Sequence, residues 1–281
     1  CCGLTSMTIS NSVTSIGDEA FAQCSGLTSI NVDSGNTKYD SRNNCNAIIE
    51  TETNALITGC MNTVIPNTVT SIGDYAFYGC WGLTSVAIPN SVTSIGRMAF
   101  CDCKNMTSII IPNSVTSIGH STFHYCTGLT SIVIPNSIES LDGTTFYNCT
   151  NLETISLPNS LRNLSSMAFV GCVNINKIIS NIQDPATINY QLYYYYYPHI
   201  FYPFDDVNKE NCILYVPKGS ISKYQTHEYW NGFENIIEIE DGDVNCDGSI
   251  TSYDITALYN YLLNADETYI FTSDINGDGN V

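Results

Sequence analysis

A phrase of 23 residues recurs along the chain, and one clear copy reads Gly82-Leu-Thr-Ser-Val-Ala-Ile-Pro-Asn-Ser-Val-Thr-Ser-Ile-Gly-Arg-Met-Ala-Phe-Cys-Asp-Cys-Lys104. Other copies begin at Gly3, Gly26, Asn105, Gly128 and Asn151, and a degenerate copy begins at Asn174. Seven cysteines fall in the same slot of the phrase, namely Cys1, Cys24, Cys80, Cys103, Cys126, Cys149 and Cys172. A fixed period of this length is typical of a solenoid, in which each repeat buries its apolar side against its neighbours. The sequence therefore predicts a mainly β solenoid of about 23-residue repeats.

Each part of the phrase predicts one part of a coil. Leu-x-x-Ile-x-Ile predicts a strand with its apolar side chains inward, stacked on the next coil about 4.8 Å away. Pro-Asn-Ser predicts a turn, and Val-x-x-Ile-Gly a return strand whose glycine takes a left-handed backbone conformation. Ala-Phe-x-x-Cys is expected to pack the far wall. Its cysteines are expected to be small buried thiols rather than disulfides or zinc ligands.

The repeat from Gly26 to Thr58 is ten residues longer than the others. Within it, 47–50 and 55–58 flank the loop 51–54, which predicts a β-hairpin insertion. Pairing Glu50 with Ala55 would place Cys45 opposite Cys60, and directly opposed strand residues come within reach of a disulfide. A Cys45–Cys60 bridge is therefore one hypothesis, and two buried free thiols are the other.

The composition narrows the classes of partner. The 281 residues carry a net charge of −18, and Asp241–Val281 contains eight acidic residues and no Lys or Arg. Without a basic stripe the chain is not expected to bind nucleic acid, and without a run of about 18 apolar residues it is not expected to span a membrane. Residue 1 lies inside a repeat, so we expect this chain to be a fragment of an exported protein.

The acidic segment contains a motif typical of calcium loops. Oxygen donors at loop positions one, three, five, seven and twelve are Asp243, Asn245, Asp247, Ser249 (through its carbonyl) and Asp254. Gly248 at position six provides the sharp turn, and this pattern matches an EF-hand-like loop. A second copy begins with Asp274, Asn276 and Asp278, and the chain stops before its twelfth position. Calcium is therefore the expected cofactor.

A run of aromatic residues departs from the phrase after Gly171. Five successive tyrosines form its centre: Tyr193, Tyr194, Tyr195, Tyr196 and Tyr197. Tyrosine combines a large apolar area with a polar tip, which suits both the covering of a solenoid end and contact with a sugar or protein ligand. Both interpretations remain open.

The outward positions of the first strand are mostly Ser and Thr, which is typical of a solvated face.

The 23-residue phrase resembles the BspA-like leucine-rich repeats of bacterial surface proteins, over residues 1–240 with a C-terminal cap at about 181–240. The doubled calcium loop at 241–281 resembles a type I dockerin, a small α-helical module, here incomplete at its C-terminus. These resemblances imply a secreted or cell-surface protein that binds the cohesin module of a scaffold in a calcium-dependent, cellulosome-like attachment. By the dockerin resemblance, Ser252 and Tyr253 are expected to contact cohesin, and Tyr259 and Asn260 are weaker candidates.

The combined interpretation is a non-catalytic recognition or adhesion protein, expected to be a monomer. Its repeats would bind a glycan or protein surface, and its dockerin would attach it to the scaffold. No arrangement of nucleophile, His and acid is visible, and His120 and His124 occupy variable slots expected at the surface. Two alternatives remain: a fragment of a larger polysaccharide-degrading enzyme whose catalytic domain lies upstream, and a host-directed bacterial surface adhesin.

Overall fold

The structure is a computed structural model that describes residues 3–191 and 201–239. Its strands are short and follow the order of the repeats: β1 (Ser6–Ile9), β2 (Ser29–Val32), β3 (Tyr39–Asp40), β4 (Ala47–Glu50), β5 (Ala55–Gly59), β6 (Ser71–Ile72), β7 (Ser94–Ile95), β8 (Ser117–Ile118), β9 (Ser131–Val133), β10 (Ser140–Leu141), β11 (Thr154–Leu157), β12 (Asn163–Ser165), β13 (Lys177–Ser180), β14 (Asn189–Gln191), β15 (Ile213–Pro217) and β16 (Asn235–Ile239). Within these two ranges the helical segments are α1 (Ile221–Thr226) and two single 3-10 turns, Arg42–Asn44 and Pro185–Thr187.

Each repeat forms one coil of a β-solenoid with three sides, except that the repeat with the hairpin lacks the third side. The first face contains β1, β2, β9, β11, β13, β15 and β16, and the second face contains β5 to β8, β10, β12 and β14. Where strands of successive coils pair within a face, they pair in parallel with each residue aligned to its counterpart, as in Ser71 opposite Ser94. Among the described residues this pairing is interrupted between β8 and β10, and between β2 and β9 except for the single bridge Ala87–Ile110. We number the coils from the N-terminus: one (3–25), two (26–58), three (59–81), four (82–104), five (105–127), six (128–150) and seven (151–173). The predicted fold class is confirmed.

The third side, present in every numbered coil except coil two, is a turn segment that carries the aromatic core. Phenylalanines in the same slot stack from coil to coil, with ring centroids 5.0 to 5.7 Å apart: Phe77, Phe100, Phe123, Phe146, Phe169 and Phe204. All six are at most 1% exposed. Main-chain bonds join this side between coils as well, since Phe77 N–H donates to Ala99 C=O at 2.7 Å. The third side therefore has its own ladder of main-chain hydrogen bonds between coils.

The cysteines of the repeated slot are buried free thiols, as predicted, wherever the structure describes them. Four of them donate their S–H groups to the carbonyl of the stacked phenylalanine in the preceding coil: Cys103 to Phe77, Cys126 to Phe100, Cys149 to Phe123 and Cys172 to Phe146, at 3.0 to 3.2 Å. The slot therefore requires a small side chain that can also donate a weak hydrogen bond.

The prediction that the repeated glycine takes a left-handed conformation is wrong. Gly96 and Gly119 do not have a positive φ; instead, a Cβ on Gly96 would lie 2.6 Å from the main-chain nitrogen of Asp74 in the coil below. Glycine is required there because two coils approach closely. The left-handed residues lie two positions later, at Tyr75 (φ 57°), Met98 (φ 52°) and Ser121 (φ 59°).

The hairpin in coil two is confirmed, with β4 and β5 antiparallel and β3 added beside β4. The register on which the Cys45–Cys60 bridge depended is wrong. Ile49 pairs with Leu56, but a β-bulge shifts the pairing so that Ile48 lies opposite Thr58. Cys45 and Cys60 are free, buried thiols that donate to the carbonyls of Ala47 and Asn46.

Strand β15, helix α1 and strand β16 lie within the predicted C-terminal cap, and the two strands extend the first face. Tyr224 of α1 is fully buried; its hydroxyl donates to Ile182 C=O at 2.7 Å and lies 2.6 Å from the Ser180 hydroxyl. Trp230 is fully buried against Phe204, the last ring of the stack, with centroids 4.7 Å apart. These residues cover the apolar end of the phenylalanine stack.

Candidate functional site

An aromatic patch lies on the third side of coils three to six, formed by Tyr78, Trp81, His124, Tyr125 and Tyr147. Tyr78, His124, Tyr125 and Tyr147 lie between the inward-packed Phe and Cys of their repeats, and Trp81 directly follows Cys80. Tyr125 has a left-handed backbone, with φ of 59°. It is 42% exposed, and Trp81 is 39% exposed. The patch therefore offers large aromatic surfaces to solvent on a rigid scaffold.

Charged groups fix the orientation of Trp81. Its indole N–H donates to Asp102 Oδ2 at 3.0 Å, and Lys104 Nζ lies 4.9 Å from the ring centroid. Lys104 also pairs with Asp102 at 3.2 Å. Asp102 therefore links Trp81 to the next coil, where its own N–H donates to His124 C=O at 2.7 Å. A ligand that contacts Trp81 would find a carboxylate and an ammonium group at its edge.

His124 packs among tyrosines in the centre of the patch. Its ring centroid lies 4.6 Å from that of Tyr125 and 4.9 Å from that of Tyr147. Burial lowers the pKa of His124, the neighbouring His120 lowers it further, and Asp102 partly opposes this. His120 is exposed, as expected, whereas His124 is half-buried and favours the neutral form.

Two nucleophilic side chains beside the patch are shielded from solvent. Ser121 lies 2.5 Å from His120 Nδ1, but Ser121 is only 1% exposed, so a substrate carbonyl has no access to its hydroxyl. Burial raises the pKa of Cys101 to about 12, which keeps this thiol protonated and poorly nucleophilic at neutral pH. Over residues 3–191 and 201–239, no group of three or more His, Cys, Asp or Glu side chains is arranged to hold a metal ion.

Most of the predicted site residues lie outside the described residues. These are the tyrosines Tyr193, Tyr194, Tyr195, Tyr196 and Tyr197, the calcium ligands Asp243, Asn245, Asp247, Ser249, Asp254, Asp274, Asn276 and Asp278, and the cohesin contacts Ser252, Tyr253, Tyr259 and Asn260. Their roles therefore stay predictions.

The residues that flank the tyrosine run are partly described, and they pack. Tyr190 Oη accepts a hydrogen bond from Trp230 Nε1 at 2.7 Å, and its ring lies 4.4 Å from that of Tyr229. Tyr202 contacts Tyr229 from the other side, at 5.1 Å, and remains 37% exposed. An aromatic cluster at the end of the phenylalanine stack thus joins the two flanks of the run.

The first face carries a second exposed feature, a row of apolar side chains at its outward positions. Val64 is 72% exposed and Ile110 is 46% exposed, and Ala87 pairs with Ile110 in register between them. The neighbouring outward residues Ser85 and Ser108 are exposed and polar, as the sequence predicts for this face. The row is narrow and is bordered by serine.

Sequence reasoning missed the aromatic patch. The signal was present in the two slots between Phe and Cys, which hold Tyr78 in coil three, His124 and Tyr125 in coil five, and Tyr147 in coil six. Attention to the strands alone overlooks these slots, because the segment that holds them forms no strand.

Comparison with known proteins places these features in a family. A model of BspA-type leucine-rich-repeat regions matches residues 1–59 and 58–176 with six copies, and a model of type I dockerin domains matches residues 241–281. None of the curated proteins compared is significantly similar to the chain. No helix within 3–191 or 201–239 has the length and apolar character needed to cross a membrane.

Solved structures of bacterial leucine-rich-repeat proteins are similar to the chain. A leucine-rich cell surface protein from Faecalibacterium prausnitzii is 32% identical, with a TM-score of 0.59, over 66% of this chain and 49% of that one. A leucine-rich-repeat protein from Eubacterium ventriosum is 25% identical, with a TM-score of 0.57, over 62% of this chain and 48% of that one. The pneumococcal vaccine antigen PcpA shares the fold, with a TM-score of 0.60 at 17% identity over 84% of this chain and 56% of that one.

This chain spans about half the length of the first two of these proteins. The repeats and the solved neighbours agree on the fold, and the second family model matches the acidic segment. The chain belongs to the BspA-type leucine-rich-repeat family and carries a type I dockerin domain over residues 241–281.

Proposed function

We propose that this chain is a non-catalytic extracellular recognition protein that is attached to a cohesin-bearing scaffold through its dockerin. Leucine-rich surface repeats combined with a dockerin support a cell-surface protein with a cohesin-binding module. Neither kind of module is catalytic. The repeats bind the ligand, and the dockerin attaches the protein to the scaffold. The protein acts as a monomer outside the cell.

The calcium requirement of the attachment follows from the donors in the dockerin. Carboxylates, an amide and a main-chain carbonyl are hard oxygen donors, which suit Ca²⁺. Asp243, Asn245, Asp247, Ser249 and Asp254 form the complete loop, and Asp274, Asn276 and Asp278 begin the second. Bound calcium would order the loops and so position Ser252 and Tyr253, with Tyr259 and Asn260, against cohesin.

The exposed aromatic patch is the observation that supports a glycan as the ligand of the repeats. Sugar rings stack on aromatic faces through their C–H groups, while hydroxyls bond to polar side chains at the edge. Trp81 and Tyr125 supply the faces, and Asp102 and Lys104 supply the polar edge. Since these residues lie on stacked coils about 4.8 Å apart, the patch suits an extended chain of sugars.

A protein ligand is the second candidate, and the apolar row on the first face favours it. Exposed Val64 and Ile110 side chains bordered by serine resemble the apolar centre and polar rim of a small interface. An adhesin directed at host proteins would use this face rather than the aromatic patch.

Affinity electrophoresis of the full chain tests the glycan proposal. Native gels containing soluble xyloglucan, arabinoxylan, mannan or mucin are run with the wild type and with Trp81→Ala and Tyr125→Ala variants. We expect retardation by at least one polysaccharide and a loss of affinity of about ten-fold or more in each variant, as for an aromatic anchor. The control is Tyr202→Ala, which removes an exposed tyrosine elsewhere. Wild-type retardation in the patch variants, or none with any polysaccharide, would reject the patch as a glycan site.

A further inference from the structure

Coil two lacks a third side. In coils one and three to seven the return strand leads into a segment that ends in Phe-x-x-Cys. In coil two the strand β5 instead runs to Gly59, the first residue of coil three. The hairpin insertion therefore replaces one rung of the third side, and coil one faces coil three across the missing rung.

The main-chain ladder shows where this junction is open. A regular junction, between coils three and four, has three bonds from N–H to C=O: Tyr75 to Arg97, Phe77 to Ala99 and Gly79 to Cys101, at 2.7 to 2.9 Å. Between coils one and three, Gln23 N–H donates to Tyr78 C=O at 2.9 Å, but Ala76 C=O accepts from Gly59 instead, at 2.8 Å. The main chains of coils one and three are thus hydrogen-bonded at Gln23 but not at the other end of the junction.

A cavity of about 250 Å³ lies between coils one and three at the end of the junction that lacks these hydrogen bonds. Residues 16–22 of coil one form one wall, and Ile57, Thr58, Gly73, Asp74 and Tyr75 form the other. Within the described part of the chain, the main-chain N–H groups of Glu19 and Phe21 and the C=O group of Asp74 make no hydrogen bond. Ala20 is exposed in the cavity, whereas its counterpart Ala76 in coil three is buried. The cavity therefore has the unpaired polar groups of a sheet edge.

The rim of the cavity is acidic. Asp18, Glu19 and Asp74 line it, and no Lys, Arg or His side chain of the described ranges forms a salt bridge with any of the three. Asp74 Oδ1 accepts from the main-chain N–H of Arg97, which orients the carboxylate but leaves its charge in place. The Arg97 guanidinium lies 5.0 Å from the ring of Tyr75, another lining residue, so this cation offsets part of the charge of the three carboxylates. The remaining net negative charge at a concave site attracts cations.

We propose that this gap binds a short extended peptide segment carrying lysine or arginine, which supplies the missing rung. Its carbonyls would accept from Glu19 and Phe21, its N–H would donate to Asp74 C=O, and its basic side chains would lie against Asp18 and Glu19. Addition of a strand to an open edge is a recurring mode of peptide recognition. The volume of about 250 Å³ is just below the range of about 300 to 1,000 Å³ usual for small-molecule pockets, which suits a short segment rather than a larger ligand.

Fluorescence anisotropy on the full chain tests the proposal, with an equimolar pool of labelled pentapeptides that have lysine at positions two and four. We expect saturable binding that Ala20→Trp, which fills the cavity, weakens ten-fold or more. The matched control Ala186→Trp places the same side chain at an exposed position of the 3-10 turn Pro185–Thr187, away from the cavity, and should leave the affinity unchanged. Peptides with glutamate in place of lysine should not bind.

Two further measurements separate a strand from a simple cation. Peptides N-methylated at alternate amides keep their charge but lose the donors of the ladder, and we expect at least ten-fold weaker binding. In amide NMR spectra, the Glu19 and Phe21 resonances should shift on titration with the unmodified pool. Equal binding of the methylated peptides, equal binding by Ala20→Trp, no binding of the pool, or shifts confined to other residues would overturn the proposal. None of these results bears on cohesin or glycan binding.

Discussion

The thiol of Cys126 donates a hydrogen bond to the main-chain carbonyl of Phe100, 3.1 Å away in the preceding coil. This bond joins two coils at the third side, beside the stacked rings of Phe100 and Phe123, whose centroids lie 5.6 Å apart. The same relationship recurs along the solenoid, so the cysteine slot and the phenylalanine slot act together. The repeated Phe-x-x-Cys motif is thus a structural unit of the third side, and in coils three, five and six the residues between its ends include the partly or fully exposed aromatic side chains Tyr78, His124, Tyr125 and Tyr147.

The unfolding free energy should fall as the pH rises above about 9. Burial raises the pKa of Cys80 and Cys101 from 9.0 to about 12. The unfolded chain therefore loses these protons first, so the stabilisation is complete below pH 9 and is lost as the pH rises towards 12. Urea unfolding at pH 8, 9.5 and 10.5 measures this. The Cys101→Ala variant should show a shallower decline, and an identical slope in variant and wild type would contradict the explanation.

Acidification should weaken the aromatic patch through His124. Burial lowers the pKa of this side chain in the folded state, so the unfolded chain takes up a proton first as the pH falls below about 6.5. The contribution of neutral His124 is present above pH 6.5 and is lost as the pH falls through the folded pKa. We expect the stability difference between wild type and His124→Gln to shrink from pH 7.5 to pH 5. NMR titration of the His124 ring with a midpoint at or above 6.5 would refute this.

The close approach of coils at the repeated glycine predicts that Gly96→Ala destabilises the solenoid. The added Cβ would lie 2.6 Å from Asp74 N, and a main-chain atom cannot move without shifting the coil. Overpacking of this kind costs about 1 to 3 kcal/mol. Thermal and urea unfolding measure the loss. Gly3→Ala is the control, since no described atom lies within 4 Å of its added Cβ, and a loss of equal size in the control would point to a general glycine effect.

Tyr190→Phe should destabilise the end of the solenoid. The change removes the oxygen that accepts from Trp230 Nε1 at 2.7 Å, and Trp230 is fully buried, so its N–H group would remain unsatisfied. Such a loss costs about 1 to 3 kcal/mol. Urea unfolding followed by tryptophan fluorescence measures it. Tyr202→Phe removes a hydroxyl from a tyrosine that is 37% exposed and should change the stability little. If both variants unfold alike, the Trp230 bond contributes nothing.

The period of the sequence was sufficient to predict the solenoid, its first-face strands, the buried cysteines and the hairpin. It could not show the bulge that moves Thr58 opposite Ile48, because one extra residue changes a register without changing the apolar pattern. It also misassigned the repeated glycine, since close contact and a positive φ both exclude a side chain and look alike in one sequence. The missing rung behind the cavity follows from the absence of Phe-x-x-Cys between Leu27 and Thr58, a signal that was available but passed over.

Isothermal titration calorimetry of the full chain against a panel of type I cohesins tests the central claim most directly. The account predicts tight binding to at least one cohesin in calcium, loss of that binding in EDTA, and strong weakening by Asp247→Ala, with no change for Trp81→Ala. Binding that survives EDTA, or a folded chain in calcium that binds no cohesin of the panel, would contradict a calcium-dependent dockerin attachment.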